Sequence, residues 1–249
     1  MNKGMVRHMY PGGNTSSGFY SFYDYILPQD EAEKIFIIKG GPGVGKSTFM
    51  KKIAEEMVDE GFDAEIMHCS SDVNSIDGVL FPQIKAALID GTAPHTVDPK
   101  NPGAVDEIIN FGDLWDEEGI KKNRRKIAEL NKKVGKLFSR AYSYLKAAAC
   151  VYRDSESIYD EALDSSKVND LVLKTVDKLF VTGSASVTPG KERHMFASAI
   201  TPGGLENYLE SVVGLDKVYI LKTVPGLSTE IMLKRIKELQ SFFLRISIN

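Results

Sequence analysis

The sequence predicts an α/β fold in which a parallel sheet is flanked by helices, with a helical, coiled-coil-like insertion and a partial second copy of the first segment. Three observations carry this prediction. Residues 34–57, KIFIIKGGPGVGKSTFMKKIAEEM, place an apolar run, a glycine-rich loop and a helical pattern in immediate succession. Beyond Gly119, apolar residues recur at alternating steps of three and four. From Arg193 onward, the chain repeats the layout that begins at Arg7.

Composition bounds the possibilities. A chain of 249 residues, 43% hydrophobic and 26% charged, can bury one substantial core and a second small one. A net charge of -3, with a pI of 5.9, excludes a chain that is basic all over, so nucleic acid has only a local patch to bind. Cys69 and Cys150 are too few for a disulfide scaffold, and both are expected in cores. The first residues, MNKGMVRHMYPGGNTSSG, lack the apolar segment of a signal peptide, and no apolar run reaches membrane-spanning length. A soluble, cytoplasmic protein with no membrane contact is expected.

In chain order, Val6 to Tyr10 forms a short strand, PGGNTSSG a turn, and Gly18 to Leu27 a helix with Tyr20 and Tyr23 in the core. Ile35 to Ile38 is a strand covered on both faces. The helix after the glycine loop places Met50, Ile53, Ala54 and Met57 on one side and stops at Gly61. Ala64 to Cys69 is a second strand, ending in Ser70, Ser71 and Asp72; Ala86 to Ile89 is a third, running into Asp90. Pro99, Pro102 and Gly103 precede a helix from Ala104 to about Glu117, which packs Val105, Ile108, Ile109 and Trp115 on the sheet. Ile127, Leu130, Val134, Leu137, Ala141, Tyr144, Ala148 and Val151 form a heptad seam with Ile158 and Ala162 in phase. That is one long helix or one arm of a hairpin whose second arm is Val168 to Phe180. The expected divisions are a core over 1–119, a helical insertion over 120–182 and a degenerate partial repeat over 183–249.

The chemistry concentrates in the glycine loop. Gly40, Gly41, Pro42, Gly43, Val44, Gly45, Lys46, Ser47 and Thr48 contain the pattern G-x-x-x-x-G-K-[ST], in which glycines let backbone amides converge on phosphate oxygens. The following helix adds its positive N-terminus, Lys46 a cation for the outer phosphates, and Ser47 a ligand for Mg2+. An apolar strand ending in aspartate is the arrangement that holds the metal from its other side, which makes Asp90 the second metal-side residue. Gly91 stands where many ATP-hydrolysing relatives of this loop carry a water-activating glutamate. Asp72 and His95, expected in loops at the same sheet edge, are the candidate bases. His8, His68 and His194 are scattered, with no zinc-ligand spacing. Lys121, Lys122, Arg124, Arg125, Lys126, Lys132, Lys133, Lys136 and Arg140 form a basic face. It suits nucleic acid, an acidic partner or phosphates, or it is simply a solvated face balanced by the acidic stretch 154–164.

The repeat aligns Arg7, His8 and Met9 with Arg193, His194 and Met195, and Thr15 and Gly18 with Thr201 and Gly204. After a three-residue deletion, Lys34, Lys39, Pro42, Gly43, Lys51 and Ile53 align with Lys217, Lys222, Pro225, Gly226, Lys234 and Ile236. Ser228, Thr229 and Glu230 replace Gly45, Lys46 and Ser47, which removes the lysine and turns a carboxylate toward the phosphates. On RHMY and RHMF, KGGPGVGKST, HCSSD, ALIDGTAPHTVDPKNPGAVDEII and FASAITPGGL, the chain resembles a bacterial family of tandem P-loop ATPases. The resemblance implies a P-loop NTPase sheet, ATP with Mg2+, and hydrolysis, here in a truncated member whose second half is degenerate. GTP is disfavoured because no N-K-x-D motif occurs. A small-molecule kinase, with Arg124 or Arg125 as lid and Asp72 as base, and a non-hydrolysing ATP-binding module are the alternatives. The helical insertion is the expected surface for a protein partner or a second copy.

Overall fold

The computed structural model describes residues 2–93, 95–179, 192–213 and Leu233. Its centre is a six-stranded, mostly parallel sheet built from β1 (Val6–Met9), β4 (Lys34–Lys39), β5 (Ala64–His68), β6 (Ile76–Phe81), β7 (Ala86–Asp90) and β8 (Asp106–Asn110). The spatial order is β1-β5-β6-β7-β4-β8, and only β6 runs against its neighbours.

The continuous apolar run of β4 follows from burial on both faces. Ile35 and Ile37 enter one core with Met9, Met67, Ala87 and Ile89, under Tyr23, Ile26, Met195, Ala197 and Val212. Ile38 enters the other, where α1 (Lys46–Asp59) lays Met50 and Ala54 over Ile66, Val79 and Leu88. Each fully buried Ile, Val, Leu or Met side chain among them contributes roughly 1.5–3 kcal/mol relative to exposure. Helix α1 ends before Gly61, whose φ of 96° is open to glycine at little cost.

Two expected helices are corrected, and one strand is added. Residues 18–27 are not a helix: β2 (Gly12–Thr15) and β3 (Gly18–Ser21) form an antiparallel hairpin, followed by a 3-10 turn at Tyr23–Tyr25. The Thr15 hydroxyl accepts from Ser17 N (3.1 Å) and donates to Gly18 O (2.7 Å), closing a tight turn with Gly18 at φ 104°. Tyr23 is buried as expected, but Tyr20 is exposed. Residues 104–117 are not a helix either. β8 extends the sheet beside β4, a 3-10 turn covers Phe111–Leu114, and α2 spans only Glu117–Lys122. The Asp106 carboxylate sets the chain on this path by accepting from Lys100 N, Asn101 N and Gln29 Nε2. Ile108 and Trp115, expected in the core, are 51% and 40% exposed. Finally, β6 was not anticipated. Its Gly78 is needed because a β-carbon there would stand 2.9 Å from Leu88 O.

Among the described residues the chain forms two compact units, one of 2–142 with 194–213 and the other of 143–179 with 192, 193 and Leu233. Helix α3 (Arg124–Glu161) is continuous through the boundary. In the first unit the Tyr142 hydroxyl donates to Asn14 Oδ1 (2.9 Å), while Asn14 Nδ2 donates to Ser70 O and Ile200 O. The seam residues Leu130, Val134 and Leu137 are about half exposed. In the second unit Tyr144, Val151 and Ile158 are exposed, α4 (Ser165–Leu179) buries Val172, and Cys150, expected in a core, is exposed. No described helix is long and apolar enough to cross a membrane.

Residues 194–213 complete the first unit. There β9 (Ser198–Thr201) and β10 (Gly204–Asn207) form a second hairpin, followed by α5 (Leu209–Val213). The second glycine loop, including Ser228, Thr229 and Glu230, lies outside the described residues.

Candidate functional site

The parallel strands β4, β5 and β7 deliver their carboxyl ends to one edge of the sheet, the edge at which open α/β sheets place ligands. Because β6 runs the other way, its first residues, Ile76 and Asp77, reach the same edge.

The glycine loop bridges β4 and α1 there. Gly43 and Gly45 adopt φ of 77° and 93°, conformations a side chain would strain, and Gly45 is the cap from which α1 starts. Lys46 is buried at 6% exposure; its ammonium donates to Gly40 O (3.0 Å) and Gly41 O (2.9 Å) and lies 3.6 Å from Asp90 Oδ2. Asp90 Oδ1 accepts from the backbone and hydroxyl of Thr92, which leaves Oδ2 directed to Lys46. The Ser47 hydroxyl accepts from Ile76 N (3.0 Å), tying the helix start to β6. Gly91 has a steric reason: a β-carbon there would fall 2.5 Å from Ile37 Cγ2 and 2.9 Å from Val97 O, so no glutamate fits after Asp90.

Asp77, which sequence reasoning missed, is the centre of a buried polar cluster. Tyr23 donates its hydroxyl to Asp77 Oδ2 (2.7 Å), and His95 Nε2 faces Oδ1 at 3.5 Å. Burial holds the Asp77 carboxyl above the usual carboxylate range, opposed by His95 and by the Tyr23 hydrogen bond. Burial first, then the neighbouring Asp77, push the Cys69 thiol up to about 12 and the Tyr23 phenol upward as well. His95 Nδ1 is buried with no partner among the described residues. The loop bearing His95 is pinned by Lys39, whose ammonium donates to Gly91 O, Val97 O and Asp98 Oδ1 at 2.6–2.9 Å. Asp77, Asp90 and His95 each offer a ligand atom within 4.8 Å of the others, a donor set suited to a divalent cation.

The structure therefore brings together Lys46, Ser47, Asp90 and His95, but not Asp72. That carboxylate accepts from Asn74 N (3.1 Å) and Ser75 Oγ (2.6 Å) in its own exposed turn, and the Ser75 bond lowers its pKa. The sequence did hold a signal for Asp77, a lone charge inside the apolar string SIDGVLF. Two histidines that look scattered in sequence also meet: His8 Nδ1 and His68 Nε2 are 2.8 Å apart, and the Tyr208 hydroxyl is 3.3 Å from His68 Nδ1. No protein-family model, no curated protein and no solved structure matches the chain.

Proposed function

We propose that the chain is a P-loop NTPase that binds ATP with Mg2+ at Gly40–Thr48 and hydrolyses it. The observation that carries the reading is the juxtaposition of a glycine loop, opening a helix after a doubly buried strand, with a lysine 3.6 Å from the carboxylate that ends the adjacent parallel strand. Converging amides and the Lys46 ammonium fit the charge of a polyphosphate, and would stabilise the charge that builds up on the outer phosphate as the bond to it breaks. Ser47 and Asp90 are the residues that would hold Mg2+, which supplies charge neutralisation when bound.

Of the two candidate bases, His95 fits better than Asp72. It stands beside Asp90 and Asp77 at the sheet edge, whereas the Asp72 carboxylate is engaged in its own turn.

Phosphate release from ATP in magnesium buffer tests the proposal. Lys46→Ala is expected to slow turnover by about 100-fold or more, the scale on which one preorganised charge stabiliser acts. A variant as fast as the parent sinks the assignment, and a parent with no turnover sinks hydrolysis.

A further inference from the structure

Beside the glycine loop lies a cleft of about 400 Å³, within the size range of small-molecule sites, lined chiefly by Val44, Leu114, Trp115, Ile120, Asn123 and Ile127. Val44 belongs to the loop itself. The indole reaches it from the other side: Trp115 Cζ2 is 3.5 Å from where a β-carbon on Gly41 would sit.

The cleft wall is held by the ends of its elements. Asn110 accepts from Gly112 N (2.9 Å) and donates to Asp113 Oδ1 (2.7 Å), fixing the 3-10 turn that carries Leu114. Asp116 caps α2 through Gly119 N (3.1 Å), and Asn123 Nδ2 donates to Gly119 O (2.9 Å). Trp115 is thus a large aromatic placed by capping interactions, 40% exposed, and not a core residue that failed to pack.

We infer that this cleft is a nucleobase subsite in which a purine stacks on Trp115 while its phosphates lie on the glycine loop; the inference rests on the polyphosphate reading of that loop. Three features select this occupant. The cleft includes Val44 of the loop, and its Trp115 stands against Gly41, so the two are close enough for one ligand to span both. Apart from Asp116, Gly119 and Asn123, its walls are flat or branched apolar groups that suit an aromatic face. Asn123, with its amide nitrogen committed to Gly119, has its carbonyl oxygen left as an acceptor, which matches the exocyclic amine of adenine.

Trp115 is the chain's only tryptophan, so its emission reports on the cleft directly. Calorimetry and fluorescence are run in parallel with Mg-ATP and with Mg-tripolyphosphate, which has the phosphates and no base. ATP is expected to bind and quench the indole, and tripolyphosphate to bind without quenching. Trp115→Ala is expected to weaken ATP about tenfold, the scale of one base–aromatic stack, leave tripolyphosphate affinity unchanged, and be largely rescued by Trp115→Phe. If both ligands bind but emission and the Trp115→Ala affinity do not respond, the subsite is overturned while the loop reading stands. If neither ligand binds the parent protein, both fall. A blue shift with protein concentration in the absence of nucleotide, marking burial by a second copy, also overturns the subsite. Unchanged far-ultraviolet circular dichroism verifies that the variants fold.

Discussion

Residues 10–22 and 196–208 share one local geometry and occupy different chemical surroundings. Each residue of the second segment is numbered 186 above its counterpart, as with Thr15 and Thr201 or Gly18 and Gly204. Both hairpins close with the same threonine turn: the hydroxyl accepts from Ser17 N or Gly203 N (3.1 Å each) and donates to Gly18 O or Gly204 O (2.7 and 2.9 Å). Phe22 N donates to Pro11 O and Tyr208 N to Ala197 O, each at 2.7 Å. The segments meet across a local two-fold, where Tyr10 and Phe196 exchange two 2.9 Å backbone bonds. His8 stacks on Tyr208 at 5.2 Å, while His194 stacks on Phe22 at 5.5 Å. Each segment therefore places its histidine on the other's aromatic.

The side chains then diverge. Tyr23 delivers a hydroxyl to buried Asp77, whereas its counterpart Leu209 is 39% exposed and carries none. Tyr208 presents a hydroxyl to His68, whereas its counterpart Phe22 has none to present. A backbone fixed by threonine turns and reciprocal strand bonds tolerates such changes, because those bonds do not depend on the side chains that differ. The hydroxyl that reaches Asp77 is found only in the segment next to the glycine loop.

Breaking the joint is the largest test. Tyr10→Ala and Phe196→Ala each empty one side of the same small core, and each is expected to lower stability by about 3–5 kcal/mol, with the double variant losing less than the sum because the sites touch. Urea denaturation measures this, and losses differing by more than about 2 kcal/mol would remove the equivalence of the two segments. Tyr23→Phe sharpens the difference between them. With its hydrogen bond gone, Asp77 is left under-satisfied at an expected cost of about 1–3 kcal/mol and its pKa rises further, read by denaturation and by titration of the carboxyl in NMR. Leu209→Ala, with no such partner, is expected to leave that titration unmoved.

The pH dependence is smaller. Burial first, and then His8, lower the His68 pKa to about 4, from an ordinary value of 6.5. The unfolded chain therefore takes up this proton before the folded one, and stability falls as pH drops from about 6.5 to about 4, with no effect above that window. His8, lowered by burial alone, acts in the same direction. Discounted for a ring only partly buried, the His68 contribution is about 1–2 kcal/mol. The drop in Tm between pH 7 and pH 4.5 is expected to be shallower in His68→Gln; an equal drop would place the acid sensitivity elsewhere.

Legibility in the sequence followed the range of the interactions. The strand, loop and helix of residues 34–59 were readable because a buried parallel strand needs a continuous apolar run and the loop needs glycines at fixed places. The long helix α3 was readable from its period alone. The hairpin β2–β3 is hard to read because the aromatics in and after it, Phe19, Tyr20, Phe22 and Tyr23, suit a helix or a strand equally; the threonine turn that decides between them acts over four residues. β6 carries an aspartate and a glycine among its apolar residues, which weakens its strand pattern, and both have reasons that lie on neighbouring strands. β8 is an edge strand in which only Asp106 is buried, so DEIIN carries neither a continuous apolar run nor a clean alternation.

The order of residues alone determined which loop carries Lys46 and Ser47, that an aspartate ends an apolar strand, and that one segment occurs twice, since these are properties of neighbours along the chain. Only the tertiary structure decided that this aspartate faces that lysine, that an antiparallel strand carries Asp77 to His95, and that Trp115 stands over Gly41. Those pairings join residues from 18 (Asp77 and His95) to 74 (Gly41 and Trp115) positions apart, and strand order, which no local pattern encodes, is what sets them side by side.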